Sequence, residues 1–580
     1  MPQADKMSMI HYQIMWNRLI SVVEEQAQTL IRTAFGAPTR EAGDVSAGVY
    51  DTGGRMLAQA VTGTPGHVNS MAKSVGHALK KFPLASMNDG DVLIFNDPWI
   101  GTGHLNDIVV VTPIFRRGKP VALFACTLHV VDIGGVGMSG GGKQVYEEGL
   151  FLPPTKIVEA GRLNQWLVDI IAANVRESVQ VLGDIFSEIS SNDVGGRRLL
   201  AMMDEFGLET LDALAEHILT ESRRASLEAI TRLPFGTYHN SMTVDGLDEP
   251  MVFKAALTIG PDGIDVDFAG SPGIVNKGIN VPLCYTEAYT SFGVKVIVAP
   301  HVPNNAASLA TIRVTAPEGS LLNAPHPAPV GGRGSFGQML PDVVMGCLQQ
   351  AVAAGVPAEG TSCLWNIRMM GGYGRVDAPS ATMMRATPFN LTSFHSGGTG
   401  ARPQQDGMSA TAFPSGVRNV PVEVTETMAP LLVWRKEFRT DSGGGGRQRG
   451  GLGQLMEIES TEGMPFATMS NFDRVRFPPR GREGGLSGAT GRVSLASGKV
   501  LPGRGPATIP SGDRLRVEMP GGGGYGDPLS RAPDLVAEDV TFGYISAVAA
   551  SEIYGVVLTE TGTVDSAATE VLRAARKAAA

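Results

Sequence analysis

Residues 95–135 constrain this chain more than any other stretch. Two apolar, β-branched runs at 108–115 and 121–128 flank the short polar link Arg116-Arg117-Gly118-Lys119-Pro120. Two such runs joined by so short a glycine-containing link predict a β-hairpin. A small pattern stands at each end, His104-x-x-Asp107 before the first run and His129-x-x-Asp132 after the second. With the turn centred near Arg117 and Gly118, His104 falls beside residue 131 and Asp107 beside residue 128. Both pairs then meet at the open end of one hairpin. Imidazole nitrogens and carboxylate oxygens converging there suit a divalent metal or an acid/base site; the alternative is two ordinary hydrogen-bonded His/Asp pairs.

Composition narrows the function classes. A chain of 580 residues has room for about two to four domains, or for one interlocked unit. Its 43% apolar and 18% charged residues are enough to bury a sizeable core in water. A net charge of −9 argues against a nucleic-acid binder, which presents a basic face. No apolar run approaches the roughly 18 residues of a membrane span, and residues 1–6 begin no signal peptide. Cys126, Cys284, Cys347 and Cys363 are scattered without a C-x-x-C pair, as expected of reduced, mostly buried thiols in a cytoplasmic protein. The 73 glycines, many in clusters, predict backbone-shaped loops or segments that approach a partner closely.

Periodicity predicts a helix over 9–35 ending at Gly36, a strand at 44–51, and a helix near 68–82 with Asn69 as a possible cap. Helical spacing returns over 162–232, with Leu163 and Trp166 on the apolar face, and at 280–298 and 339–354. Strands are expected over 234–268, broken at 260–263, and at 311–314. Beyond Gly355 the pattern is strand and turn until helix resumes over 533–580. The expected class is α+β: helical N-terminal and middle segments, the hairpin and its site, and Gly-rich loops. Composition shifts place provisional cuts at 1–235, 236–420 and 421–580.

The remaining motifs are incomplete. Residues 137–144 come within one residue of a phosphate-binding P-loop, but Gln144 stands where a Ser or Thr hydroxyl must meet Mg²⁺. The same loop contains Gly137-x-Ser139-x-Gly141, yet no helix pattern follows the serine as a nucleophile elbow requires. No nucleotide site is inferred. His67 follows a Thr-Pro-Gly loop from which it could project, or it could simply begin a helix; His395 precedes Gly397–Gly400 in a turn. The loops 441–447 and 520–527 could cradle an anion through backbone N–H groups, or be close-packed turns at an intersubunit surface.

NDPWIGTGHLNDIVVVTPIF (96–115) resembles the signature of the hydantoinase B/oxoprolinase family. The likeness continues through GDVSAGVYDTGGRMLAQ (43–59), GTPGHVNSM (63–71), TAPEGSLLNAPHPAPVGGR (315–333), DSGGGGRQRGGLG (441–453) and PGGGGYGDP (520–528), covering nearly the whole chain. The resemblance implies the B-type subunit of an ATP-dependent cyclic amide hydrolase of the hydantoin, lactam or oxoproline class. An A-type subunit with an actin-like ATPase fold, carrying ATP and Mg²⁺ and present in equal number, would phosphorylate the substrate. The B-type subunit would hydrolyse the activated intermediate at a divalent metal, zinc, manganese or iron. The metal ligands implied are Asp44, His104 and His129, with Asp107 and Asp132 as further ligands, orienting carboxylates or proton acceptors, and His67 near the substrate. Two alternatives stay open: a subunit of a ketone carboxylase using bicarbonate and ATP, and a non-catalytic scaffold for the ATPase subunit. Val130 stands where many members carry a second histidine, and Glu41-Ala42-Gly43 replaces the frequent Ser-Arg type before Asp44.

Overall fold

The hairpin forms, and it is the middle of a seven-stranded sheet. The computed structural model describes residues 3–62, 64–138, 140–352, 355–372 and 387–579. Strands β1 (Val45–Tyr50), β2 (Met56–Gln59), β3 (Val92–Phe95), β4 (Asp107–Arg116), β5 (Lys119–His129), β6 (Thr155–Glu159) and β7 (Arg162–Leu163) run in the order β2-β1-β5-β4-β3-β6-β7. Arg117 and Gly118 both take positive φ, 50° and 75°, the left-handed pair whose twist matches that of the flanking strands.

The register differs from the simple count by one residue. Arg116 pairs with Lys119 and Phe115 with Pro120, but Ile114 pairs with Ala122, so Val121 is the extra residue of a bulge. Pro120 has no N–H to give the ladder, which makes this the natural place for the interruption. Beyond it Asp107 lies directly opposite His129 rather than residue 128. A one-residue slip exchanges the faces of a strand, and here it brings Asp107 and His129 onto the same face.

Helices α1 (Gln3–Thr33), α2 (Ala37–Arg40), α3 (Pro65–Lys81), α4 (Gln165–Asn174), α5 (Ser178–Glu205), α6 (Asp212–Ile230) and α7 (Leu283–Val298) accompany the sheet. Ile108, Val110, Phe124, Cys126 and Leu128 pack with apolar residues of α1, α4, α5 and α6, while Val109, Val111, Leu123 and Ala125 pack with Met71, Val75 and Ala78 of α3. This strict alternation is that of a sheet covered on both faces. Val130 also lies in the α1/α5 core, turned away from Asp107.

Some local expectations need correction. Asn69 caps nothing: α3 already begins at Pro65, and the Asn69 amide donates to the carbonyl of Ala288 and to Ser291 Oγ on α7. Proline at the first helical turn gives up an N–H that no helix uses there. Trp166, assigned to an apolar face, is 82% exposed. The helix expected at 339–354 runs Leu340–Leu348, and residues 353–354 lie outside the described residues. Ser139 and Gly63, part of two quoted motifs, lie outside them as well. Among the described residues no helix is long and apolar enough to cross a membrane, and all four cysteines are unbridged.

The fold is α+β, and its contacts define two units. The first comprises 1–240, 254–351 and 414–417; the second comprises 241–253, 352–413 and 418–580. The first contains the whole seven-stranded sheet and its helices. The second carries two four-stranded sheets, one of them ordering Leu431–Phe438, Gln454–Ser460, Leu515–Glu518 and Arg492–Leu495. Strand and turn do dominate beyond Gly355, although Val422–Met428 is helical. The Gly-rich loops of this unit are close-packed turns. Many of their N–H groups are spent on backbone carbonyls: Gly444 on Gly522, Gly450 on Gly444, Gly522 on Gly451, Gly523 on Glu359 and Gly524 on Leu486. Glycine is needed because these backbones touch where a side chain would stand.

Candidate metal centre

The loop between β3 and β4 is shaped by its own polar residues. Asn96 Nδ2 donates to the carbonyls of Leu105 and Leu150, its Oδ1 accepts from Leu152 N, and Asp97 Oδ1 accepts from Trp99 N at 2.9 Å. These bonds fix the path that delivers His104 just before β4. On the other side of the sheet's open end, α3 delivers His67 in its first turn. Thr64, at the N-cap of α3, makes no capping bond because its hydroxyl donates to Asp44 Oδ1 at 2.5 Å.

Asp107 is the hub. Its Oδ1 lies 2.8 Å from His104 Nε2 and 2.9 Å from His129 Nδ1. Its Oδ2 lies 2.9 Å from His67 Nε2, 2.6 Å from the Thr102 hydroxyl and 2.5 Å from Arg333 Nη2. Burial pushes the Asp107 carboxyl up, but the imidazoles of His104 and His67 and the Arg333 guanidinium prevail and hold it well below the ordinary carboxylate range. Burial, then the Arg333 charge, pushes His104 down to about 4, so its ring is neutral at pH 7. Burial also opposes charge on His67, yet Asp107 and Asp44 outweigh it and raise its pKa.

His104, Asp107 and His129 are all buried and offer ligand atoms within 4.8 Å of one another, a group that can hold a metal ion. The donor chemistry fits. His104 Nδ1 lies 3.2 Å from the carbonyl oxygen of Gly331; donation there fixes the tautomer and leaves Nε2 unprotonated. That Nε2 is buried with no hydrogen bond although Asp107 Oδ1 is 2.8 Å away. Lone pair facing lone pair is costly by itself and becomes favourable around a cation. Two imidazoles and a carboxylate suit zinc, manganese or iron.

The remaining expected residues separate. Asp44, at the start of β1, accepts from Thr64 through Oδ1 and stands 3.5 Å from His67 Nδ1, beside the three-residue group. His67 joins the hub directly. Asp132 does not: the Arg176 backbone N–H donates to its Oδ2 and Arg176 Nη1 lies 2.5 Å from its Oδ1. β5 ends at His129, so nothing holds Asp132 in register with β4, and a cation from the α4–α5 junction claims it. His395, in the second unit, bonds Ser393 Oγ at 2.8 Å.

Sequence reading missed Arg333, Thr102 and Glu148. Arg333 meets Asp107 across 226 residues, and the only signal was its place at the end of the conspicuous 315–333 segment. Glu148 closes the Gly-rich loop after β5. Its oxygens accept from Val330 N at 3.1 Å and Gly331 N at 2.8 Å, pinning the turn that supplies both the carbonyl for His104 and the Arg333 side chain.

Glu148 yields a two-part prediction. Burial pushes its carboxyl from the ordinary 4.5 up to about 7. A carboxyl raised in the folded state costs stability once ionised, so between about pH 4.5 and 7 its contribution falls as pH rises. Glu148→Gln removes that part of the slope, seen as a flatter thermal midpoint between pH 5 and 7 relative to wild type. An amide serves only one of the two N–H groups well, so metal affinity should also weaken by roughly 10-fold in a metal titration, as for other outer residues that orient a ligand.

The family model for hydantoinase B/oxoprolinase matches residues 8–528. The caprolactamase subunit beta of Pseudomonas jessenii is 28% identical, over 95% of this chain and 96% of its own length. The crystal structure of the ATP-dependent caprolactamase from Pseudomonas jessenii superposes with a TM-score of 0.87 at 26% identity, covering 97% of this chain and 99% of that one. A nucleotide-free acetone carboxylase superposes with a TM-score of 0.85 over 98% of this chain and 83% of that one; at 21% identity that likeness is one of fold. With a family match spanning most of its length, this chain belongs to the hydantoinase B/oxoprolinase family.

Proposed function

We propose that this chain is the metal-carrying B-type subunit of an ATP-dependent cyclic amide hydrolase acting on hydantoins, lactams or oxoproline. Its partner is an A-type ATPase subunit, present in equal number in the cytoplasm, where ATP and Mg²⁺ phosphorylate the substrate oxygen. The observation that carries this reading is the buried His104–Asp107–His129 group, with the His104 tautomer fixed for ligation, in a family member aligned end to end with a caprolactamase subunit.

A ring amide is a poor electrophile, and phosphorylation turns its oxygen into a leaving group. A divalent ion in the centre supplies Lewis acidity and brings the pKa of water toward neutrality. His104 and His129 offer nitrogen and Asp107 offers oxygen; Asp44, just before β1, would be a further ligand through Oδ2, which carries no described hydrogen bond. His67 handles the proton. Its Nε2–H is committed to Asp107, and the Asp107 and Asp44 charges favour a proton on Nδ1, from which the ring nitrogen would receive it as water adds to the carbon and the carbon–nitrogen bond breaks. Asp44, 3.5 Å from Nδ1, holds that imidazolium. Asp132 remains with Arg176 and takes no part.

The test is the chain purified together with an A-type subunit, with ADP release and product followed for hydantoins, lactams, 5-oxoproline and small ketones. Ring opening without bicarbonate is expected. Strict dependence on bicarbonate with a ketone assigns a carboxylase instead, and full activity of His104→Ala reduces the chain to a scaffold.

A further inference from the structure

Arg333 stands in the centre without helping to hold a cation. Its Nη2 is 2.5 Å from Asp107 Oδ2 and its Nε donates to the carbonyl of Thr102 at 2.8 Å. The guanidinium lies over the Tyr285 ring, 4.1 Å from its centroid, and only 7% of the side chain is exposed. The loop is built around it: a Cβ at Gly103, where φ is +96°, would stand 2.9 Å from Arg333 Cδ and Nε. No described hydrogen bond engages Nη1.

For metal binding alone this placement is unfavourable. A fixed positive charge against the carboxylate that must hold a cation competes with that cation. The formal charges give its use. Asp44 and Asp107 contribute −2, Arg333 +1 and a divalent ion +2, leaving at least +1, and more with His67 protonated, among buried side chains. Such a site favours an anion, and a planar guanidinium with a spare edge is the side chain suited to phosphate.

We infer that Arg333, beside the His104–Asp107–His129 group that would hold the metal, supplies an anion subsite that receives the phosphoryl group of the activated substrate, with Nη1 as the unspent donor. Phosphorylated rings would then bind in preference to their unactivated parents. This rests on the reading that the substrate arrives phosphorylated by another subunit. The two ideas fail separately: ring opening by the two-subunit enzyme tests that reading, and phosphate binding by this chain alone tests this one.

The experiment uses the full chain loaded with the metal it purifies with and inorganic phosphate as the probe, titrated calorimetrically at saturating metal, with occupancy checked by elemental analysis. Wild type should bind phosphate, and metal-loaded R333Q should bind it ~10-fold or more weakly, the loss expected for a charge-assisted contact to phosphate. R333K guards against misfolding, since it keeps a positive charge beside Asp107. An ammonium committed to that carboxylate cannot reach the place of Nη1, so phosphate should weaken by ~3-fold or more there too. Wild-type affinity in metal-loaded R333Q or R333K overturns the subsite, as does a wild type that ignores ~10 mM phosphate, weaker than the millimolar binding worth about 4 kcal/mol. An R333Q protein that folds but takes up no metal at saturation assigns Arg333 to orienting Asp107 and overturns it as well.

Discussion

Asp107→Asn is expected to empty the centre and abolish turnover. The wild-type carboxylate is fully buried and serves five neighbours, with His104 and His129 on one oxygen and His67, Thr102 and Arg333 on the other. Asparagine keeps the shape but puts an NH₂ group either on the side that accepts from His67, Thr102 and Arg333 or on the side that faces the metal, and it removes the charge that balances Arg333. An uncompensated buried guanidinium costs about 3–5 kcal/mol. Loss of a metal that stabilises developing charge by several kcal/mol lowers turnover by ~10³-fold or more. Elemental analysis should find less than about a tenth of the wild-type metal, given an affinity loss beyond the 10–100-fold of an outer-shell change. Stoichiometric metal with near-normal ring opening would remove Asp107 from the centre.

Gly398→Ala is expected to prevent the second unit from folding. A methyl there would run into the carbonyl oxygen of Gly451 and stand 2.8 Å from the nitrogen of Gly522. Those are backbone atoms locked in hydrogen bonds, Gly451 N to the Thr399 carbonyl and Gly522 N to the Gly451 carbonyl, so no rotamer can yield. The cost should exceed about 4 kcal/mol, in the range reserved for severe core defects, and appear as loss of soluble protein. Gly463→Ala is the control: φ is +63° but nothing lies within 4 Å of the added Cβ. It should cost about 1–2 kcal/mol for a left-handed alanine and leave solubility intact. Equal behaviour of the two variants would refute close backbone packing as the reason for these glycines.

Asp107 and Gly398 differ in how visible their roles were. His104-x-x-Asp107 announced chemistry because polar, ligand-type residues sat at the end of a long apolar run. The glycine runs were visible as runs, but whether their N–H groups faced an anion or another backbone depended on loop segments brought together from 397–400, 443–453 and 520–526. Asp132 shows the reverse failure. It shared its pattern with Asp107 in the sequence, yet the chain leaves the sheet at His129 and Arg176 captures it.

By itself the sequence determined the hairpin, its turn near Arg117 and Gly118, and the presence of His104, Asp107 and His129 at its open end. These rest on alternation and turn chemistry, which act between near neighbours. The tertiary structure decided which atoms meet. A one-residue bulge beside Pro120 put Asp107 opposite His129, Glu148 pinned the turn after Val330, and that turn brought Arg333 to Asp107 across 226 residues. Such contacts form only because burial of both sheet faces closes long loops at small entropic cost per added residue, and no local pattern records where a closed loop returns.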